Sequence, residues 1–180
     1  MAYLSPAEFV TKMVDTGEAK IHMSTRDTLI RAFMAGAILA LAAVFAVSAS
    51  VMSGSALIGA LLFPVGVCML YLLGFDLLTG VFMLTPLALL DKRPGVTVRG
   101  ILRNWGLVFV GNFLGALTVA GMMAFIFTYG FSVPPGEIGQ KIGHIGEART
   151  LGYAEYGLMG WATIFLRGVL CNWMVSTGVV

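Results

Sequence analysis

Charge is scarce in this chain. Eleven Lys and Arg and nine Asp and Glu make up 11% of its 180 residues, against about 25% in soluble domains. That scarcity excludes an ordinary water-soluble globule. It also excludes a nucleic-acid partner: the net charge is only +2, and no basic stripe or aromatic-basic interleaving is present. Cysteine is rare as well. Cys68 and Cys171 lie in apolar runs far apart and read as small buried hydrophobes, not as a disulfide or a metal pair. The two histidines, His22 and His144, sit in polar segments away from a second ligand at metal spacing. No Gly-x-Ser-x-Gly, phosphate loop or paired-acid site occurs, so an enzyme is not expected, and neither is a cofactor or metal. The first 28 residues lack an apolar core followed by a small-residue cleavage site, so no cleavable signal peptide is read there.

What is abundant is apolar surface. Hydrophobic residues are 58%, glycines number 23, and the mean hydropathy is +0.92. Such a chain is an all-α polytopic membrane protein, with glycine serving close helix packing. Four apolar blocks give spans at about 29–51, 56–90, 106–131 and 158–180, following a polar, amphipathic segment at 1–28. The second block is 35 residues long, interrupted only at Gly74-Phe75-Asp76. One helix of that length would extend about 52 Å, whereas a bilayer core is ~30 Å thick. The block is either a two-span hairpin or one span broken at membrane depth.

Lys and Arg discriminate between these two. The N-terminal segment carries Lys12, Lys20, Arg26 and Arg31, and the loop at 91–104 carries Lys92, Arg93, Arg99 and Arg103. The loop at 132–157 has only Lys141 and Arg149, against Glu137, Glu147 and Glu155. One broken span puts both basic segments on the cytoplasmic side and the acidic loop outside, as the positive-inside rule demands. A hairpin would separate them. Ser5-Pro6-Ala7-Glu8 predicts a helix start, with Phe9, Met13, Val10 and Val14 on one face. The segment is then either a helix lying on the cytoplasmic surface or an ordinary polar leader.

At the break, Gly74 allows unusual backbone angles. Asp76 is expected to cap the restarting helix by accepting from N–H groups near Leu78 and Thr79. Free N–H groups and the helix dipole make a positive end inside the membrane, Thr79 adds a hydroxyl, and Gly80 keeps the wall thin. Donors without a full positive charge, flanked by Leu77 and Leu78, suit a small anion. The alternative is a Gly/Asp turn between two helices. Asn104 and Trp105 are expected to open the third span at the membrane interface. Gly111 and Gly115 form a small-xxx-small packing face around Asn112, an interhelical hydrogen-bonding residue. In the fourth span, Arg167 needs a partner, a cavity or snorkelling, and Asn172 serves packing or lines a pathway.

These residues fall into recognisable motifs. Leu73-Gly74-Phe75-Asp76-Leu77-Leu78-Thr79-Gly80 resembles the break motif of the formate/nitrite transporter family. Leu102-Arg103-Asn104-Trp105 with Gly111-Asn112-x-x-Gly115 is similar to the family's third span, and Leu166 to Trp173 to its fourth. Phe33 to Ala37 is similar to its first, and the resemblance runs from about residue 4 to 180. It implies an aquaporin-like inverted-repeat fold of six spans with a broken second helix, of which this chain holds one repeat and the start of an incomplete second. It implies a homopentamer in the bacterial inner membrane, N-terminus cytoplasmic, passing small monovalent anions such as formate, nitrite or hydrosulfide. Leu77, Leu78 and Thr79 would form the central constriction, Phe63 and Val67 would line the cytoplasmic side of the pore, and Asn172 would face the pathway. Two departures stand out. Tyr156 occupies a position where the family typically has Lys, and the family's pore histidine would lie beyond Val180, where the chain ends as if cut inside a span. A non-conducting truncated fragment or assembly subunit, and an aquaporin-like neutral-solute pore, are the alternatives. The second normally carries Asn-Pro-Ala, and no Asn-Pro occurs here.

Overall fold

The computed structural model describes residues 4–179, so the expected end of the fourth span at Val180 lies outside the described residues, as do the first three residues of the N-terminal segment. All regular structure in the described residues is helical. Helix α1 (Pro6–His22) begins with a capping box: Ser5 Oγ accepts from the Glu8 N–H, and Glu8 Oε2 accepts from the Ser5 N–H at 2.8 Å. Its buried face is Met13, Val14, Gly17 and Ile21, while Val10 is exposed. That face does not lie free on a surface. It docks on helix α5 (Leu78–Leu90), so closely that a Cβ on Gly17 would meet the Leu84 carbonyl oxygen at 2.0 Å.

Helix α2 (Thr25–Ser53) runs from a Ser24 cap to Gly54 in the left-handed conformation, about 43 Å at ~1.5 Å per residue. It packs along helix α6 (Val98–Phe127). Their backbones touch because Gly36 and Gly115 have no side chains. A Cβ on Gly36 would meet the Asn112 carbonyl oxygen at 2.1 Å, and one on Gly115 the Phe33 carbonyl oxygen at 2.0 Å.

The apolar run after α2 returns along it. Helix α3 (Ala56–Leu62) touches α2 at Gly59 and Ala46, helix α4 (Pro64–Leu72) at Gly66 and Ala42, and the break reaches Arg31. Helix α5 then continues in the same sense beside α1, ending at Leu90. The run therefore crosses α2 once, from one end to the other. Neither Ala56–Leu72 nor Leu78–Leu90 matches the length of α2 or α6. An additional joint, not expected from the sequence, lies at Phe63-Pro64. Pro64 lacks an N–H and splits the helix, yet Phe63 keeps helical angles, so the chain kinks without turning.

The two basic segments meet at one end of the molecule. Arg93 pairs with Asp15 at 2.7 Å, the His22 ring meets the Pro94 carbonyl at 3.2 Å, and Arg103 donates to Thr25 Oγ1 at 2.6 Å. The opposite end of α2 faces helix α7 (Glu137–Arg149), where Ser50, Val51 and Gly54 share a cleft with Gln140, Lys141 and His144. Helix α7 was expected as loop. It carries no buried residue, and a 3-10 turn (Leu151–Tyr156) joins it to helix α8 (Gly157–Val179). Three stretches are long and apolar enough to cross a membrane: α2, α6 and the segment that ends in α8.

One further expectation is corrected: Cys68 and Cys171 are both exposed. Helix α6 begins before Asn104 and Trp105, since Thr97 caps it two turns earlier, accepting from the Gly100 N–H at 3.1 Å. Asn104 is fully buried and donates to the Lys20 carbonyl at 3.1 Å. Trp105 donates to the Val81 carbonyl at 3.2 Å and to Thr85 Oγ1 at 3.0 Å, with its ring edge-to-face on Phe82.

Candidate functional site

Helix α4 ends in a hydrogen-bonded reversal. Gly74 sits at φ +73°, its N–H donates to the Tyr71 carbonyl at 3.0 Å, and the Phe75 N–H donates to the Leu70 carbonyl at 2.9 Å. This pair of bonds around a left-handed glycine is the Schellman stop. Arg31 Nη1 donates to the Gly74 carbonyl at 3.3 Å, placing a cation at the negative end of α4. Five residues (73–77) are non-helical before α5 restarts at Leu78.

Asp76 does not cap that restart. The Leu78 N–H is taken by Asn112 Oδ1 at 2.9 Å, from the middle of α6. Asn112 Nδ2 donates in turn to the Ala32 carbonyl at 2.7 Å and the Asp76 carbonyl at 2.8 Å. One amide thus holds α2, the break and α6 together. The Asp76 carboxylate turns the other way and forms an ion pair with Lys20 of α1. It is 2% exposed, and its second oxygen, Oδ2, has no partner among the described residues. A charge so buried needs a counter-charge, and Lys20 supplies it.

Leu77 and Gly80 are buried and Leu78 is half-buried, so the restart is walled by apolar groups. Two donors remain unused there. The Thr79 hydroxyl is buried without a hydrogen-bond partner, and its N–H finds no acceptor among the described residues. Ser176 Oγ of α8 reaches the Thr79 carbonyl at 3.4 Å. Two apolar layers follow along α5: Ala32, Val81 and Val108 beside the restart, then Ile21, Ala88, Val96 and Ile101 toward its far end. A cavity of about 270 Å³ opens between α1 and the break, with Lys12, Lys20, Tyr71 and Asp76 in its walls.

The structure therefore brings together Gly74, Asp76, Leu77, Leu78, Thr79, Gly80 and Asn112, with Gly111 and Gly115 on the adjoining α2–α6 contact. Phe63 and Val67 do not line this cavity. They lie beside the half of α2 remote from α1, near Ala46 and Ala42. They thus stand away from α1 and the 91–104 loop, the segments expected on the cytoplasmic side. Asn172 is exposed and donates to its own helix, at the Gly168 carbonyl, 2.8 Å away. Arg167 is partnered by the Tyr153 hydroxyl and lies over its ring, 5.5 Å from the centroid. Sequence reasoning missed Lys20 and the capping role of Asn112. Their partners lie 56 and 34 residues away, and no local pattern marks either.

Long apolar helices and a hydrogen-bonded interruption between two shorter ones define an all-helical membrane protein. The family model described as Formate/nitrite transporter matches residues 7–180, and the chain belongs to that family. It is 30% identical to an uncharacterized transporter, YrhG, of Bacillus subtilis, over 99% of this chain and 65% of that protein. It is also 30% identical to a probable formate transporter of Methanothermobacter thermautotrophicus, over 99% of this chain and 69% of that one. The formate channel FocA of Haemophilus influenzae is 30% identical over 98% of this chain and 60% of its own length. The chain thus spans about two thirds of the length of the curated relatives it matches. Membership implies a polytopic aquaporin-like fold, and the family is one of channels and transporters, not enzymes.

Proposed function

We propose that the protein conducts small monovalent anions, of the formate and nitrite class, along a path that passes the break. The observation that carries this reading is the Thr79 hydroxyl, buried without a partner in the first turn of a helix that starts among apolar walls. A free hydroxyl and N–H at a helix start attract an anion, while Leu77 and Leu78 strip its water. Lys20, in the wall of the same cavity, is engaged by Asp76, so its charge is compensated and does not hold the anion. That balance favours passage over tight binding.

In this reading the inverted-repeat fold is completed by a second broken helix, and each protomer of a homopentamer carries one path. The N-terminus and the 91–104 loop are cytoplasmic, in a bacterial inner membrane. Phe63 and Val67 belong to the outer half of the path, and Asn172 approaches it from α8, on the same helix as Ser176. The test uses the intact protein in liposomes. Thr79→Val keeps the shape and removes the hydroxyl, and initial formate entry should fall about tenfold, the equivalent of one hydrogen bond of ~1.4 kcal/mol. Undiminished entry would assign Thr79 to packing.

A further inference from the structure

Tyr71 carries a second unused donor at the same place. Its ring stands in the last turn of α4, and its hydroxyl oxygen is buried with no hydrogen-bond partner. Buried phenols ordinarily find one. The hydroxyl projects across the break onto Gly80 of α5, where a Cβ would come within 2.8 Å of it. Gly80 is therefore the residue that leaves room for this group. The Thr79 hydroxyl stands within side-chain hydrogen-bonding reach of it and the Asp76 carboxylate within electrostatic reach, with neither hydroxyl held in hydrogen-bond geometry. Tyr71 also lines the cavity that opens toward α1. Three polar atoms, Tyr71 Oη, Thr79 Oγ1 and Asp76 Oδ2, thus surround the break unpaired.

We infer that the Tyr71 hydroxyl is a specificity-determining donor which, together with Thr79, selects anions that present two acceptor oxygens. The inference rests on the anion-path reading above. A planar anion such as formate or nitrite offers one oxygen to each hydroxyl and satisfies both donors at once. Hydrosulfide presents one soft sulfur, which accepts more weakly from each hydroxyl than an oxygen does. The site built to donate twice loses more when the substrate, or the protein, lacks one partner.

The experiment measures initial rates of formate and hydrosulfide entry into liposomes containing the intact protein, with wild type, Tyr71→Phe and Gly80→Ala. Tyr71→Phe preserves the ring and removes only the hydroxyl. Its formate entry should fall roughly fivefold with hydrosulfide entry changing less than about twofold, as loss of one hydrogen bond requires. Gly80→Ala displaces the hydroxyl and should shift the ratio in the same direction, which keeps the test decisive if the Phe variant does not fold. A wild-type formate-to-hydrosulfide ratio in both variants would overturn the inference while leaving the anion path standing. A parallel loss of both fluxes would also overturn it, assigning Tyr71 to packing. Wild-type liposomes that admit neither anion would sink the path itself and the inference with it.

Discussion

The break and helix α8 both set polar side chains among apolar ones, yet they satisfy them in opposite ways. Around the break every fastening crosses between elements: Lys20 to Asp76, Asn104 to the Lys20 carbonyl, and Asn112 to three backbone groups of α2, the break and α5. On α8 most fastenings are local, and Ser176, whose Oγ lies 3.4 Å from the Thr79 carbonyl, is the exception among the described residues. Asn172 bonds its own helix, and Arg167 meets Tyr153, fourteen residues earlier. Exposure follows the same division, with Asp76 at 2% and Trp173 at 70%. The break is a tertiary unit whose polar groups hold one another in place, so its geometry survives only with its partners. The polar groups of α8 contribute little to holding the described helices together, and what they do depends on what α8 faces.

The largest expected difference comes from the two asparagines. Asn112→Leu removes the acceptor for the Leu78 N–H and the donor for two buried carbonyls, costing about 4 kcal/mol if each group loses ~1–1.5 kcal/mol. Asn172→Leu should cost less than about 1 kcal/mol, because its one bond is to an adjacent turn of its own helix. Thermal melting of the detergent-purified protein separates them, and equal shifts would break the comparison. Next is Lys20→Met, which leaves the Asp76 carboxylate buried and unpaired and should cost about 3 kcal/mol in the same assay.

The smallest effect is at the tip of α1. Hydrogen bonds from the Ser5 side chain and backbone hold the Glu8 carboxyl below its ordinary value of 4.5. A lowered native pKa adds stability that is full above the unfolded value and is lost as pH falls through the native one. The first turn of α1 should therefore loosen as the pH falls from 4.5 through the lowered native value. A nitroxide at Ala7 would report this as increased mobility, and Glu8→Gln should be as mobile at neutral pH.

Much of this arrangement is written locally, and that part is legible in the sequence. Ser5 and Glu8 lie three residues apart and announce the start of α1. Gly74 is the residue that a left-handed helix stop demands. The Lys and Arg count already favours one broken span, and the contacts of Arg93, His22 and Arg103 with the N-terminal segment put the two basic stretches at one end. What was illegible is what depends on distance or carries a weakened local signal. Asp76 looks like a cap because it precedes the restart, but a half-buried lysine 56 residues away competes for it and Asn112 takes the N–H. Helix α7 carries Ile138, Ile142 and Ile145 at helical spacing, but Gly139, Gly143 and Gly146 beside them weaken that signal. Pro64 reads as ordinary within an apolar run, because Phe63 keeps helical angles across the joint.

The central claim is that residues 56–90 cross the membrane once, interrupted at Gly74. Single cysteines at Ala19, Arg99 and Gly146, all exposed positions, test it in the intact protein with Cys68 and Cys171 replaced by Ala. An impermeant maleimide added outside cells should label Gly146→Cys, and should reach Ala19→Cys and Arg99→Cys only after permeabilisation. Labelling of Arg99→Cys from outside, with Ala19→Cys still protected, would put the two basic segments on opposite faces and contradict the single broken span.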